Sequence, residues 1–490
     1  MYQSTRSSYS VSDTSAVLQG IAPDGGLFVD PGIAQRPFDV RECMGLSYTE
    51  MAEKILAHLL PGFAGRIADI VRVYPQKFDA PDITPVKRVG DDYAIELWHG
   101  PTAAFKDVAL SVLPLLITAA KELEGIKENI SILTATSGDT GKAALEGFHD
   151  VPGTDITVFF PDGGVSPMQK AQMVTQEGAN VRVCAVRGNF DDCQRGVKEA
   201  FACFNASRAD YPGRILSSAN SINIGRLVPQ VVYYFFAYAK LLSAGSIRFG
   251  EKVDFVVPTG NFGDILAGYI AQMMGLPVGK LVCASNANNV LTDFIRTGIY
   301  DRRRPFLKTS SPSMDILVSS NLERLLYYAS GCDAEYVSSL MSALNKDGVY
   351  TLAPEVLEKI QSVFAADYCT EEETAAAIAR LWGSFHWLSD THTAVGFAVL
   401  EKYKQSKGFT GNPCVVLSTA SPFKFPASVL SAIGGQPCEN EFDTAEALSA
   451  LTGEAIPAGI ASLREKPVLH KDVIEISKVV SYSLSKNKEA

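Results

Sequence analysis

No long apolar run occurs in this chain of 490 residues: its most hydrophobic stretch, residues 108–120, is interrupted by Pro114. A bilayer-spanning helix needs about 20 apolar residues, so no membrane partner is expected. The first ten residues, MYQSTRSSYS, also lack the apolar core of a secretory leader. Cysteine pairing patterns are missing too. Nine cysteines stand singly with no C-x-x-C, which argues against a disulfide framework or a metal site and for a reducing, cytoplasmic setting. There is no basic excess: 44 Lys and Arg face 54 Asp and Glu, a net charge of −10. An acidic surface disfavours nucleic acid, so any anion site must be a local device. Low-complexity tracts and repeats are absent as well, and 47% hydrophobic with 20% charged residues describes an ordinary globular chain of two or three domains.

What is present is alternation. Strand-like runs at 93–98, 130–136, 155–160 and 181–186 take turns with helix-like segments at 105–123, 141–149, 167–176 and 189–204. A second set comprises strands at 253–257, 281–285 and 413–417 with helices at 264–274 and 426–432. This order implies an α/β fold of two open, mostly parallel sheets with helices on both faces. Residues 222–242 read as one long apolar helix, and 333–388 as helical throughout. The expected division is an N-terminal segment, 1–95, packing on the larger domain; a smaller α/β domain, 96–225; and a larger one, 226–490, with a helical insertion at about 320–390.

Three strand-to-helix turns can hold chemistry. In the first, Thr136-Ser137-Gly138-Asp139-Thr140-Gly141, free N–H groups at a helix start can receive a carboxylate or phosphate, although a plain Ser/Asp/Thr cap also accounts for it. The second, Gly260-Asn261-Phe262-Gly263-Asp264, has two glycines that let the backbone curl round a lone phosphate group. The third ends in Phe105-Lys106-Asp107. Here a lysine sits at the start of an apolar helix, where poor solvation lowers its pKa and frees the amine, unless it snorkels to water.

Further segments accompany these turns in order: GIAPDGGLF at 20–28, GVSP at 164–167, ANSINIGR at 219–226, PSMD at 312–315, SNLER at 320–324, DTHTAVG at 390–396 and STASPFKF at 418–425. Together they resemble the pyridoxal-phosphate enzymes of the tryptophan-synthase-β fold type (fold type II), and within it the threonine synthase family. The resemblance implies pyridoxal 5'-phosphate as cofactor, Lys106 as its Schiff-base lysine, Gly260, Asn261, Phe262, Gly263 and Asp264 as its phosphate loop, and Thr419 at its pyridine nitrogen. It also implies that Ser137, Gly138, Asp139 and Thr140 hold the substrate α-carboxylate, with Asp139 near the cofactor's phenolic oxygen. Arg226 and Lys424, and less so Lys142, are candidates for the substrate phosphate, while His392 reads as structural or catalytic.

The reaction so implied converts O-phospho-L-homoserine and water into L-threonine and phosphate by γ-elimination and β-addition, in a monomer or dimer. A phospho-lyase or dehydratase releasing a 2-keto acid, and a non-catalytic cofactor-binding regulator, are the alternatives. Two departures stand out. Asp139 replaces the Asn usual in the wider fold type, and Ser421 stands where the family often has His.

Overall fold

A computed structural model describes residues 1–485. Two parallel sheets organise the chain, as the alternation implies. The larger runs Phe364–Tyr368, Val278–Ser285, Val253–Pro258, Cys414–Ser418, Asp92–Glu96 and Val86–Val89, parallel throughout except for the last, antiparallel pair. The smaller runs Asp472–Glu475, Val181–Arg187, Thr154–Pro161, Asn129–Ala135 and Arg214–Ser218, all parallel. A three-stranded antiparallel sheet, formed by Tyr2–Ser4, Ser10–Val11 and Phe28–Val29, precedes them.

Residue parity decides which core each side chain enters. In the larger sheet Phe255, Val257, Leu281 and Cys283 join one cluster with Ile265 and Leu266 of the helix Gly263–Met273. Their neighbours Val256, Val282 and Ala284 join another with Val395 and Val399 of the helix Thr391–Gln405. Alternate residues of a strand point to opposite faces, so both faces are covered, as a parallel sheet requires. The smaller sheet repeats the device: Leu133, Phe159 and Cys184 meet Val197 of the helix Phe190–Ala206, whereas Ile132, Val158 and Val183 share a core with Leu145 of the helix Asp139–Phe148. The helix Val231–Ser243, VVYYFFAYAKLLS, is apolar nearly all round and correspondingly buried.

The chain departs from the sequence reading in several places. The 93–98 run, read with the first set of strands, is Asp92–Glu96 and pairs with Cys414–Ser418 in the larger sheet. The 105–123 helix is two, Lys106–Leu110 and Leu113–Leu123, with Pro114 in the first turn of the second, where its missing N–H is harmless. The 222–242 helix likewise breaks into Ile224–Leu227, a 3₁₀ turn at Val228–Gln230 containing Pro229, and Val231–Ser243. The supposed helical insertion contains Phe364–Tyr368, which pairs with Val278–Ser285 as the edge of the larger sheet. Finally, Asp472–Glu475 crosses back to the smaller sheet, so 226–490 is not confined to the larger one. Among the described residues no helix is long and apolar enough to cross a membrane.

Candidate active site

Strands from both sheets converge on one pocket with their carboxyl ends, the usual ligand position in open α/β sheets. The pocket is lined by Lys106, by Thr136, Ser137, Asp139 and Thr140 after Asn129–Ala135, by the 259–264 turn after Val253–Pro258, and by Thr419 after Cys414–Ser418. Arg226, Gln230, Asn220, Ser221, Phe190, Ser313 and His392 complete the wall.

The Lys106 segment is tied to the larger sheet. Phe105 N–H donates to the Thr419 carbonyl at 2.8 Å, Ser421 N–H donates to the Ala103 carbonyl at 3.0 Å, and Ala104 bridges Ala420. Ala103 takes a left-handed φ of 57° to make this crossing, a strain of the kind that gathers at functional sites. Lys106 itself is nearly buried, its Nζ 4.2 Å from the Phe105 ring centroid and 3.9 Å from Asp139 Oδ2. Burial lowers its pKa to about 8; Asp139 opposes the shift, and the Arg226 and Lys424 charges add to it.

Asp139 is the electrostatic hub. Its Oδ1 accepts from Lys424 Nζ at 2.8 Å and Gln169 Nε2 at 2.9 Å; its Oδ2 accepts from Ser313 Oγ at 3.1 Å. Burial pushes its pKa up, but the Lys424 and Lys106 ammoniums outweigh that and hold it well below the usual carboxylate range. Asp139 is therefore an anion. Gly138, just before it, has φ 137°, and a Cβ there would lie 2.3 Å from the Gln169 side chain, so the turn accepts only glycine. Thr136 Oγ1 fixes the turn by accepting from the N–H groups of Gly138 and Gly141, at 2.9 and 2.8 Å.

The second glycine turn ends at the helix Gly263–Met273, whose N-cap residue, Phe262, is left-handed and makes no side-chain cap. The first N–H groups of that helix have no intrahelical partners, and with the helix dipole they suit a phosphate. The turn's carbonyls are drawn outward: Ser319 Oγ donates to the Gly260 carbonyl at 2.8 Å, and Asn321 Nδ2 to that of Asn261 at 3.0 Å. Asp264 Oδ1 accepts hydroxyl bonds from Tyr233 and Tyr234, whereas its Oδ2 is buried without a partner. Burial raises the Asp264 pKa to about 7 against those two bonds and the Lys106 charge. Arg226 Nε is likewise buried and unpartnered; its other nitrogens donate to the Ala219 carbonyl at 2.8 Å and to Thr140 Oγ1 at 3.3 Å.

Of the remaining candidates only His392 lines the pocket. Lys424 is fully buried but does not line the pocket: it is committed to Asp139 and, at 3.0 Å, to the Thr102 carbonyl, so its expected place on a substrate phosphate is withdrawn. Lys142 pairs with Glu146 at 3.1 Å and with Gln176, also off the pocket. His392 Nδ1–H donates to Asp390 Oδ1 at 3.0 Å, and Nε2 accepts the Ser313 N–H at 3.1 Å. Both ring nitrogens are thus occupied in steadying Ser313, a structural arrangement. Ser421 borders a separate cavity of about 370 Å³ with Trp98, His99 and Trp387, and caps the 3₁₀ turn Pro422–Lys424 through the Phe423 N–H. Gln169 escaped the sequence reading, and Ser313 entered it only as part of PSMD, because nothing local joins residues 30 and 174 positions away to the Asp139 carboxylate.

The donor set suits pyridoxal phosphate: an unprotonated-prone buried lysine for its aldehyde, an uncapped helix start for its phosphate, and a hydroxyl residue, Thr419, whose backbone is pinned by Phe105 and Thr393.

Comparison with known proteins agrees. Residues 93–420 match the family described as pyridoxal-phosphate dependent enzyme, residues 1–65 the threonine synthase N terminus, and residues 393–478 the threonine synthase C-terminal region. The chain is 39% identical to threonine synthase-like 1 of Homo sapiens across 86% of its length, while spanning only 58% of that relative. It is 36% identical to the threonine synthase of Pseudomonas aeruginosa, covering 95% of this chain and 94% of the relative. Among solved structures, the pyridoxal-phosphate-bound threonine synthase from Brucella melitensis superposes with a TM-score of 0.82 at 37% identity, over 99% of each chain.

Proposed function

Since the chain belongs to the threonine synthase family of pyridoxal-phosphate-dependent enzymes, we propose that it converts O-phospho-L-homoserine and water into L-threonine and phosphate. Arg226 carries this reading: a buried guanidinium on the wall of the Lys106 pocket, with an unpartnered Nε and no carboxylate within ion-pair reach among the described residues. The cofactor phosphate is assigned to the free N–H groups of the 260–264 turn, so the Arg226 charge is left for a second anion, the phosphate of the substrate.

Pyridoxal phosphate, when bound, supplies an electron sink for an amino acid attached to it. The residues of the chain do the rest. Ser137, Thr140 and the start of the helix Asp139–Phe148 hold the substrate carboxylate, where N–H groups and dipole favour an anion. Lys106 Nζ, with a pKa of about 8, moves protons at the substrate's Cα and Cβ near neutral pH. Asp139, kept anionic by Lys424, holds Lys106 in place and favours its charged form after each proton uptake. Thr419 offers a neutral hydroxyl to the pyridine nitrogen. An acidic protein thus builds its anion sites from two helix starts and one arginine, and the nine unpaired cysteines support a cytoplasmic setting.

The test is to incubate purified protein with O-phosphohomoserine and to measure threonine, 2-oxobutyrate, ammonia and phosphate together. Equal amounts of threonine and phosphate are expected. Oxobutyrate and ammonia in place of threonine would identify a phospho-lyase, and no turnover at all a cofactor-binding regulator.

A further inference from the structure

Arg324 is completely buried, yet among the described residues no carboxylate pairs with it; the adjacent Glu323 turns away to Arg6 at 2.7 Å. Its guanidinium is spent on oxygens that belong to three separate segments. Nε donates to the Phe28 carbonyl at 2.9 Å, in the N-terminal sheet. Nη1 and Nη2 donate to the carbonyls of Ser221 at 3.2 Å and Ile222 at 2.6 Å, in the loop that carries the pocket residues Asn220 and Ser221. Nη1 also donates to Asn321 Oδ1.

Asn321 passes the constraint on. It occupies the N-cap position of the helix Leu322–Ala329 but makes no side-chain cap there. Its N–H and Nδ2 instead both donate to the Asn261 carbonyl, at 3.1 and 3.0 Å. In a trans peptide the carbonyl and the following N–H point in opposite directions. Anchoring the Asn261 carbonyl on Asn321 therefore sends the Phe262 N–H the other way. Burying a cation among neutral acceptors is costly, and a lysine could not reach the same four oxygens with a planar fork.

We propose that Arg324 is a positioning residue that, through Asn321, orients the 260–263 turn to receive the cofactor phosphate and locks the 220–222 loop beside it. The proposal rests on the reading that this turn holds the phosphate. It also gives the N-terminal sheet, remote from the chemistry, a physical connection to the cofactor through the Phe28 carbonyl.

The test uses full-length apoprotein titrated with pyridoxal phosphate and, separately, with pyridoxal, which lacks the phosphate. The readout is the ratio of the two affinities. Arg324→Lys and Asn321→Ala should each lower the preference for the phosphorylated form at least about tenfold while pyridoxal affinity stays within about twofold. Asn321→Ala keeps the result readable if Arg324→Lys does not fold, because it cuts the same link without altering the charge. Gly263→Val serves as the internal control for the turn itself. A ratio that falls in Gly263→Val but holds in both other variants would overturn the role of Arg324 and leave the phosphate reading intact. A ratio unmoved in all three would overturn both. A parallel loss of pyridoxal and pyridoxal phosphate binding in the Arg324 and Asn321 variants would reduce the network to ordinary structural support.

Discussion

Asp139 sits between two lysines of different duty: Lys424, fully buried and bonded at 2.8 Å, and Lys106, at 3.9 Å and facing the pocket. Removing its charge reaches both. Asp139→Asn leaves Lys424 buried without its counter-ion, a change that costs about 3 to 5 kcal/mol in comparable sites, so the melting temperature should fall sharply. Lys424→Met in the same chain removes the stranded charge and should restore most of that loss, which a double-mutant cycle by thermal or urea unfolding measures directly. The second consequence is electrostatic. Asp139 raises the Lys106 pKa against burial, which brings it down to about 8. Below that pH the ammonium dominates; above it the free amine does. Covalent capture of pyridoxal phosphate by the apoprotein, followed by its absorbance, should speed up through about pH 8 and then level off. In Asp139→Asn the supporting charge is gone, so the midpoint should move to lower pH. A midpoint left near the free-lysine value would show that Lys106 is not the capturing amine.

At the scale of elements, the three strand–turn–helix units were legible because each carries its own punctuation: an apolar run, a glycine turn, then a helix start. The Ser137–Thr140 turn, the 260–264 turn and Lys106 therefore appear in one pocket, as three separate readings of the chain place them at strand ends. Phe364–Tyr368 was not legible. FAADY has neither strict alternation nor a β-branched run, and it lies between the helices Pro354–Val363 and Glu371–Phe385, so only pairing with Val278–Ser285 makes it a strand. The role of position 421 was equally hidden. Its departure from the family pattern is as compatible with an outer substitution as with a change in the active site; the residue borders a different cavity from Lys106. Ser421→His should accordingly leave turnover within about twofold, while losing the cap on the Pro422–Lys424 turn at about 1 kcal/mol. A large drop in turnover at unchanged stability would return position 421 to the catalytic machinery.

The whole molecule divides the labour of the site between its sheets, and the carboxyl-terminal segment shows how. Asp472–Glu475 forms the edge of the smaller sheet, and the helix Val479–Leu484 covers it. Val479 is fully buried among Phe159, Phe190 and Val197, with Gly196 too close to tolerate a Cβ. Arg182 and Arg214 hold the last turn by donating to the carbonyls of Tyr482, Ser483 and Leu484. Phe190 in this cluster also lines the pocket, so the segment supports the wall formed by the smaller sheet. Lys106, by contrast, is bridged to the larger sheet at Ala104 and Phe105, beside Thr419 and the 260–264 turn. Ending the chain after Lys471 should therefore separate two properties that a uniform destabilisation would lower together. Cofactor absorbance and its retention through dialysis should persist, because Lys106, Thr419 and the 260–264 turn, the main residues proposed to hold the cofactor, are anchored on the larger sheet. KM for the phosphorylated substrate should rise, by about tenfold if the loosened helix Phe190–Ala206 costs the Ser137–Thr140 turn some 1.4 kcal/mol of its order. Unfolding should also split into two transitions, the smaller sheet melting first. Loss of cofactor in step with loss of substrate affinity, along one unfolding transition, would mean that the two sheets hold the site as a single cooperative unit.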